Sequence, residues 1–442
     1  MNTLKQTKMK ATKTMWAISI ALLAATSCSE TETEIDPEPG SGGQVSLGIT
    51  PNLKVEAGTK AATKSMVNGD AITYDKALYS TAAPGLGVVV TNSDATGWYV
   101  PDGADIHHVW YMGDEKGKGW ISITEKGSTF LETKEAPYYL TETIGKVYAY
   151  YPYDKTNSFT SIGNESDLKI PVKVLATGSI DASTNNAKKY WKSTGADGSG
   201  SWTSRLTVND VKLSETTEKD YLYFFASEGR YVNNGRVKGQ PPFDPEGGPT
   251  NNDTKNPGYL INLDMNHGLA MVSFRVYDGG HLSDNAVTFN KFVIQNHAVS
   301  NVLKTGDGKM ALSNGAITEN TTTGSVTRTI SNYTLMRQID EGGSQGENAF
   351  IASGSQVTGQ IVSRSVSCLV YPVTFGDNQI DVVITLQEQS KPTVDYTVTL
   401  PGYDWTAGTN CVYTFSAGRN KLTLMDVTVQ EWQDDDQPDI PL

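Results

Sequence analysis

The sequence predicts an all-β protein made of two tandem β-sandwich domains with Greek-key-like antiparallel sheets. Three observations carry this. Apolar residues alternate with period two and no long stripe of period 3.6 appears. The apolar runs are short and separated by Gly, Pro and Asn, the residues that turns demand. The composition fits: 442 residues hold 42 Gly and 21 Tyr, while charged residues make up only 19%.

The elements follow in order. Val45, Leu47 and Ile49 alternate with polar neighbours, and Leu53 and Val55 extend the run past Pro51. Leu86 to Val90 is a continuous apolar run, the pattern of a strand buried on both faces. Trp120 to Ile123 and Val147 to Tyr153 are further strands, the second stopped by Pro152. Tyr221 to Ala226 is apolar and aromatic. The polar stretch from Thr177 to Gly200 reads as a long surface loop, with a helical turn near Ala187–Tyr190. A second loop, Gly235 to Pro257, is rich in Pro, Gly and Asn. Strands then restart at Tyr259–Leu263, Leu269–Tyr277 and Val287–Ile294. More are expected at Arg364–Tyr371, Ile380–Leu386, Tyr396–Leu400, Cys411–Phe415 and Leu422–Val429. This gives a domain over 45–259, a second over 260–433 and an acidic tail over 434–442.

The first 44 residues are different. Lys5, Lys8, Lys10 and Lys13 form a basic leader, followed by a short apolar run from Met15 to Ala25. That run is too brief for a finished membrane anchor and fits an export signal. Ala25-Thr26-Ser27-Cys28 then resembles a bacterial lipobox, with Ala25 where Leu is commoner. On this reading residues 1–27 are removed and Cys28 carries lipid; the alternative is an ordinary secretory peptide with an incidental cysteine. Residues 28–44 are an acidic, Gly-rich tether that stays solvated. An acidic stretch after a lipidated cysteine also resembles the surface-export signal of lipoproteins in Bacteroidetes-type bacteria.

Charge and chemistry exclude several classes. The whole chain carries −13, and losing the four leader lysines leaves −17, which argues against nucleic acid as a partner. No second apolar run approaches the roughly 20 residues of a membrane helix. Cys368 and Cys411 lie in apolar strand-like runs and read as buried thiols rather than a disulfide. His107 and His108 sit near Asp102 and Asp105, but adjacent strand residues point to opposite faces and do not share one ion. His267 reads as a hydrogen-bonded core histidine. Asp434, Asp435, Asp436 and Asp439 read as a frayed tail rather than a calcium loop. The tyrosines from Tyr148 to Tyr153 read as packing residues rather than sugar platforms. No catalytic motif, metal site or cofactor is expected, and the chain does not read as an enzyme.

The most specific segment is the C-terminal one. Tyr396 to Leu400 runs into Pro401. After Trp405 come Ala407-Gly408-Thr409-Asn410-Cys411-Val412-Tyr413-Thr414-Phe415, then Leu422-Thr423-Leu424, Val427, Val429 and Trp432. This ending resembles the fimbrillin-family lipoproteins of Bacteroidales, the subunits of lipoprotein-derived fimbriae; Cys411 stands where an aromatic is usual. Ala136-Pro137-Tyr138-Tyr139-Leu140 with Gly145 to Tyr153, Asp220-Tyr221-Leu222-Tyr223, Leu263 with His267-Gly268-Leu269-Ala270, and Asn68-Gly69-Asp70 extend the resemblance over nearly the whole mature chain.

The resemblance implies two transthyretin-like sandwiches in a structural or adhesive subunit of a surface fimbria. Subunits of that family reach the outer membrane as lipoproteins and assemble by β-strand complementation. A protease cuts a loop after the first strand, and a neighbour's strand fills the groove. The replaceable strand would be Val45 to Val55, with Val45, Leu47 and Ile49 facing the core. The loop after it holds Lys60 and Lys64, where family members cut by arginine-specific proteases carry Arg. This chain has no Arg before Arg205, so either a lysine-tolerant protease cuts there or the subunit keeps its first strand and its lipid. The partners would be other fimbrial subunits, the outer membrane through Cys28, and a host or bacterial surface ligand. A surface glycan-binding lipoprotein of a nutrient-uptake system is the alternative, favoured by a solvent-facing row of Trp and Tyr.

Cys28→Ser should leave the precursor unprocessed. Mass spectrometry of its N-terminus checks this, and a normally matured, surface-displayed variant refutes the lipoprotein reading.

Overall fold

A computed structural model describes residues 45–53, 66–67, 70–71, 85–99, 108–113, 120–124, 134–135, 138–154, 156–157, 159, 162–182, 189–193, 200–204, 218–224, 235–240, 257–279, 282, 285–338, 350–352 and 365–431. Cys28, Lys60, Lys64, His107 and the acidic tail lie outside them. The protein is all-β, and among the described residues the one helical element is a 3-10 turn at Glu165–Asp167.

The first sheet has nine strands. Its main path runs from the edge strand Gly48–Leu53 through Leu260–His267, Leu222–Phe224, Gly145–Tyr151, Leu86–Asn92, His108–Gly113 and Trp120–Thr124 to Lys134–Glu135; Arg236–Val237 also pairs with Gly145–Tyr151. The sheet curls over its own core of Leu47, Ile49, Val88, Val90, Val147, Ala149, Leu222 and Leu263. The opposite face of the two central strands is buried as well. Val89, Tyr148 and Tyr150 point into a second, larger core. The unbroken apolar run from Leu86 to Val90 is therefore the signature of a strand with no solvent face.

That larger core lies between two further sheets. One runs Thr177–Asp181, Val326–Ser331, Val287–Asn296, Ile380–Glu388 and Thr393–Thr399. The other is built on Ala270–Asp278, flanked by Val366–Val370 on one side and Thr409–Ala417 on the other, with Leu422–Glu431 beyond. Aromatic rings fill the space between them. Phe274 and Phe292 lie 4.7 Å apart, Phe375 and Trp405 4.8 Å apart. The Trp405 indole N–H donates to the Tyr413 hydroxyl at 2.9 Å. Each such pair adds about 0.5–1.5 kcal/mol beyond its buried area.

Antiparallel pairing predominates, but four pairs of described strands run parallel. Parallel neighbours require long crossovers, and here the crossovers carry the chain between sheets. Thr177–Asp181 is one product. Sequence reasoning read this stretch as loop, yet it is an edge strand beside Val326–Ser331. Only Ile180 is a large side chain turned inward, so the strand shows no apolar alternation. Lys189–Ser193, where a helical turn is expected, instead pairs with Gly200–Ser204, in keeping with the strand preference of Tyr190, Trp191 and Trp202.

The expected boundary at Leu260 falls at the start of a strand of the first sheet. The chain passes to the second pair of sheets at Gly268, whose N–H donates to the Tyr221 carbonyl at 2.7 Å. Two buried acids meet there. Asp220 lies 3.1 Å from His267 Nδ1, so His267 is the hydrogen-bonded core histidine its apolar strand suggests. Glu218 accepts from Arg328 Nε at 2.7 Å and from the Leu369 N–H at 3.1 Å. Arg328 is 0% exposed and Glu218 5%. The guanidinium also donates to the carbonyls of Thr327 and Leu175 at 2.8 and 3.0 Å. Gly178, its register partner, leaves room for its stem: a Cβ there would lie 3.1 Å from Arg328 Cδ. Burial pushes the Glu218 carboxyl above its ordinary range, opposed by the guanidinium beside it.

Arg328→Met should cost about 3–5 kcal/mol, because it strands a buried carboxylate. The Glu218→Met, Arg328→Met double variant should recover more than about 1 kcal/mol of that loss in denaturant unfolding. No recovery would mean that the two groups do not act as a pair.

Candidate functional site

The candidate site is the groove filled by the first strand. Its sequence makes it extended: Val45, Leu47 and Ile49 alternate with Ser46 and Gly48, and alternate residues share one face. All three apolar residues are buried, at 7%, 4% and 4% exposure. Burying them is worth roughly 5–8 kcal/mol before entropy, at about 1.5–3 kcal/mol each.

The segment changes partners midway. Val45–Ser46 pairs antiparallel with Tyr139–Leu140. Gly48–Leu53 pairs parallel with Leu260–His267, from Gly48 opposite Leu260 to Leu53 opposite Met265. Leu47 stands at the changeover. Its N–H donates to the Tyr138 carbonyl at 2.8 Å, and its carbonyl accepts from the Tyr111 hydroxyl at 3.0 Å. Gly48 N–H then donates to the Tyr259 carbonyl at 2.9 Å. Gly48–Leu53 is the end strand of its sheet, and Pro51 is tolerated there because an edge strand need not donate at every residue. Without this strand, Leu260–His267 would present an unpaired edge above Ile261, Leu263 and Met265, all buried.

The other residues singled out in the sequence are not brought together. His108 opens the His108–Gly113 strand, away from His267. Tyr148 and Tyr150 are turned into the core, and Tyr148 donates to Glu165 at 2.9 Å. Lys146 also reaches Glu165, at 2.7 Å, and holds its carboxyl below the usual range. Among the described residues no cluster of three metal-ligating side chains occurs, and Tyr139, at 47%, is the one large aromatic that is exposed.

Cys368 and Cys411 are free and buried. Both are register partners of Val272, one on each side of the central strand. Two strand spacings put them about 9.5 Å apart, beyond the ~7 Å Cα limit of a disulfide. Burial pushes the Cys411 thiol up to about 11 and raises that of Cys368, so both stay protonated and inert at neutral pH. Sequence reasoning missed Tyr111 and Arg328. Nothing in a lone tyrosine signals that its hydroxyl serves a distant backbone, and an arginine at an inward position breaks the apolar pattern by which strands are found.

Residues 248–432 match the family model described as Fimbrillin-like. No curated protein sequence matches the chain closely enough to count as a relative. Among the solved structures that overlap distantly are three from related bacteria. A provisional cell adhesion protein from Bacteroides ovatus is 12% identical, with TM-score 0.44, over 89% of this chain and 99% of that one. A fimbrial protein from Bacteroides vulgatus is 12% identical, with TM-score 0.43, over 88% and 99%. A tip fimbrial protein from Porphyromonas gingivalis is 8% identical, with TM-score 0.31, over 78% and 93%. Over residues 248–432, the chain is similar to the fimbrillin-like proteins.

Proposed function

We propose that the chain is a structural or adhesive subunit of a cell-surface fimbria, assembled by β-strand complementation. One observation carries the reading. The segment from Val45 to Leu53 lies at a sheet edge, buries an alternating apolar face, and leads directly into the stretch that holds Lys60 and Lys64. Cutting that stretch would leave the strand held by non-covalent contacts alone. Its departure would open an apolar groove beside an unpaired edge, which a neighbour's strand can fill. The incoming strand would run parallel to Leu260–His267, as the resident one does. In this reading lipid on Cys28 anchors the precursor at the outer membrane, and the cut releases it.

The fimbrillin-like match over residues 248–432 supports the subunit role. Proteolysis at Lys60 or Lys64 should permit polymerisation or capture of a donor-strand peptide, read by size-exclusion chromatography. The Lys60→Gln, Lys64→Gln double variant should stay monomeric under the same protease. Trimmed protein that is monomeric and as stable as the intact chain would rule out strand exchange for this subunit.

A further inference from the structure

We propose that Tyr111 is the latch of this groove: its hydroxyl retains the occupying strand through a main-chain carbonyl at the place of Leu47. This rests on the strand-exchange reading above. A residue at which a strand changes partners has no ladder neighbour for both backbone groups, and buried backbone groups must be paired. Leu47 is such a residue. Its N–H is taken by the Tyr138 carbonyl and its carbonyl by the Tyr111 hydroxyl. Tyr111 does not belong to a neighbouring strand. It sits on His108–Gly113, five strands along the sheet from Gly48–Leu53, and reaches the carbonyl because the sheet curls.

The bond favours a filled groove. Tyr111 is 1% exposed, and burial holds its phenol well above its ordinary value, so it remains a donor. When the strand leaves, a buried hydroxyl loses its acceptor and its desolvation goes uncompensated. The contact reads backbone, not side chain. It therefore selects a class of partner: an extended segment, from a second copy or another subunit, with an apolar residue and a free N–H at the place of Leu47. Proline fails there, because it has no donor for the Tyr138 carbonyl.

The full mature chain tests this, with a site-specific protease sequence replacing residues 58–63. After cutting, a fluorescent synthetic peptide of residues 44–56 is exchanged in and its release timed. Tyr111→Phe should release it about 5–10-fold faster, the worth of one hydrogen bond. Tyr148→Phe is the control, since it deletes the bond of another buried tyrosine hydroxyl, to Glu165, on the opposite face of the sheet; it should release at the wild-type rate. An absorbance titration should show one more tyrosine ionising on strand release in wild type than in Tyr111→Phe. A peptide N-methylated at Leu47 should bind wild type at least about tenfold more weakly, having lost the bond to Tyr138. Equal release from Tyr111→Phe and Tyr148→Phe overturns the latch while leaving exchange intact. Peptide that exchanges into none of the three proteins overturns exchange, and the latch with it.

Discussion

The two halves of the molecule are joined around a buried ion pair. Removing Arg328 and Glu218 from water costs several kcal/mol per ion, and the interaction is sustained only if every remaining donor is met. Here the guanidinium is held by Glu218 and by two carbonyls, and the far oxygen of Glu218 takes the Leu369 N–H. The groups so tied come from four stretches of chain: Leu175, Glu218, the Thr327–Arg328 pair and Leu369. An apolar contact of the same size would bury as much surface and tolerate sliding. A forked cation with fixed acceptors does not, so the first sheet is keyed to the second pair of sheets in one orientation.

That keying bears on the groove. The Asp220–His267 contact and the Gly268 N–H to Tyr221 bond lie next to it in the chain, at the end of the strand that would form the groove's open edge. An edge that must wait for a partner has to keep its shape meanwhile, because a flexible strand would collapse onto the exposed apolar face. Leu260–His267 is pinned at its C-terminal end, by the seam and by Leu222–Phe224, which pairs with Met265 to His267. The rigidity of the candidate site is thus supplied from outside it.

Much of the fold is legible in the sequence, because most strands bury one face and alternate. Leu86–Asn92, Gly145–Tyr151, Leu260–His267, Ala270–Asp278, Val287–Asn296 and Ile380–Glu388 all lie where period two or a doubly buried run puts them. Val45, Leu47 and Ile49 face inward as their spacing demands. Between residues 300 and 340 the pattern fails. Gly306–Ala311 is mostly polar, and Val326–Ser331 alternates Val326, Arg328 and Ile330 inward. An arginine in that row reads as a solvent face until its carboxylate, over a hundred residues away, is known. The Tyr111 contact is illegible for a similar reason: its acceptor is a main-chain carbonyl, which every residue carries. The Asn410 position is an intermediate case. Its side-chain oxygen accepts from Ser273 at 2.6 Å, and Ser367 then donates to Ser273 at 2.7 Å, a polar row across three buried strands. The motif shows that an asparagine belongs there; only the sheet shows what it bonds.

The placing of Cys368 and Cys411 on either side of Val272 makes redox state and fold mutually exclusive. In the unfolded chain these thiols are close enough in sequence to meet. In the finished sheet a whole strand stands between them. A chain oxidised before Ala270–Asp278 takes its central place cannot close the sheet around it. A chain that has closed it can no longer be cross-linked at those two positions. In an oxidising compartment, insertion of the middle strand would therefore have to precede oxidation of the two thiols.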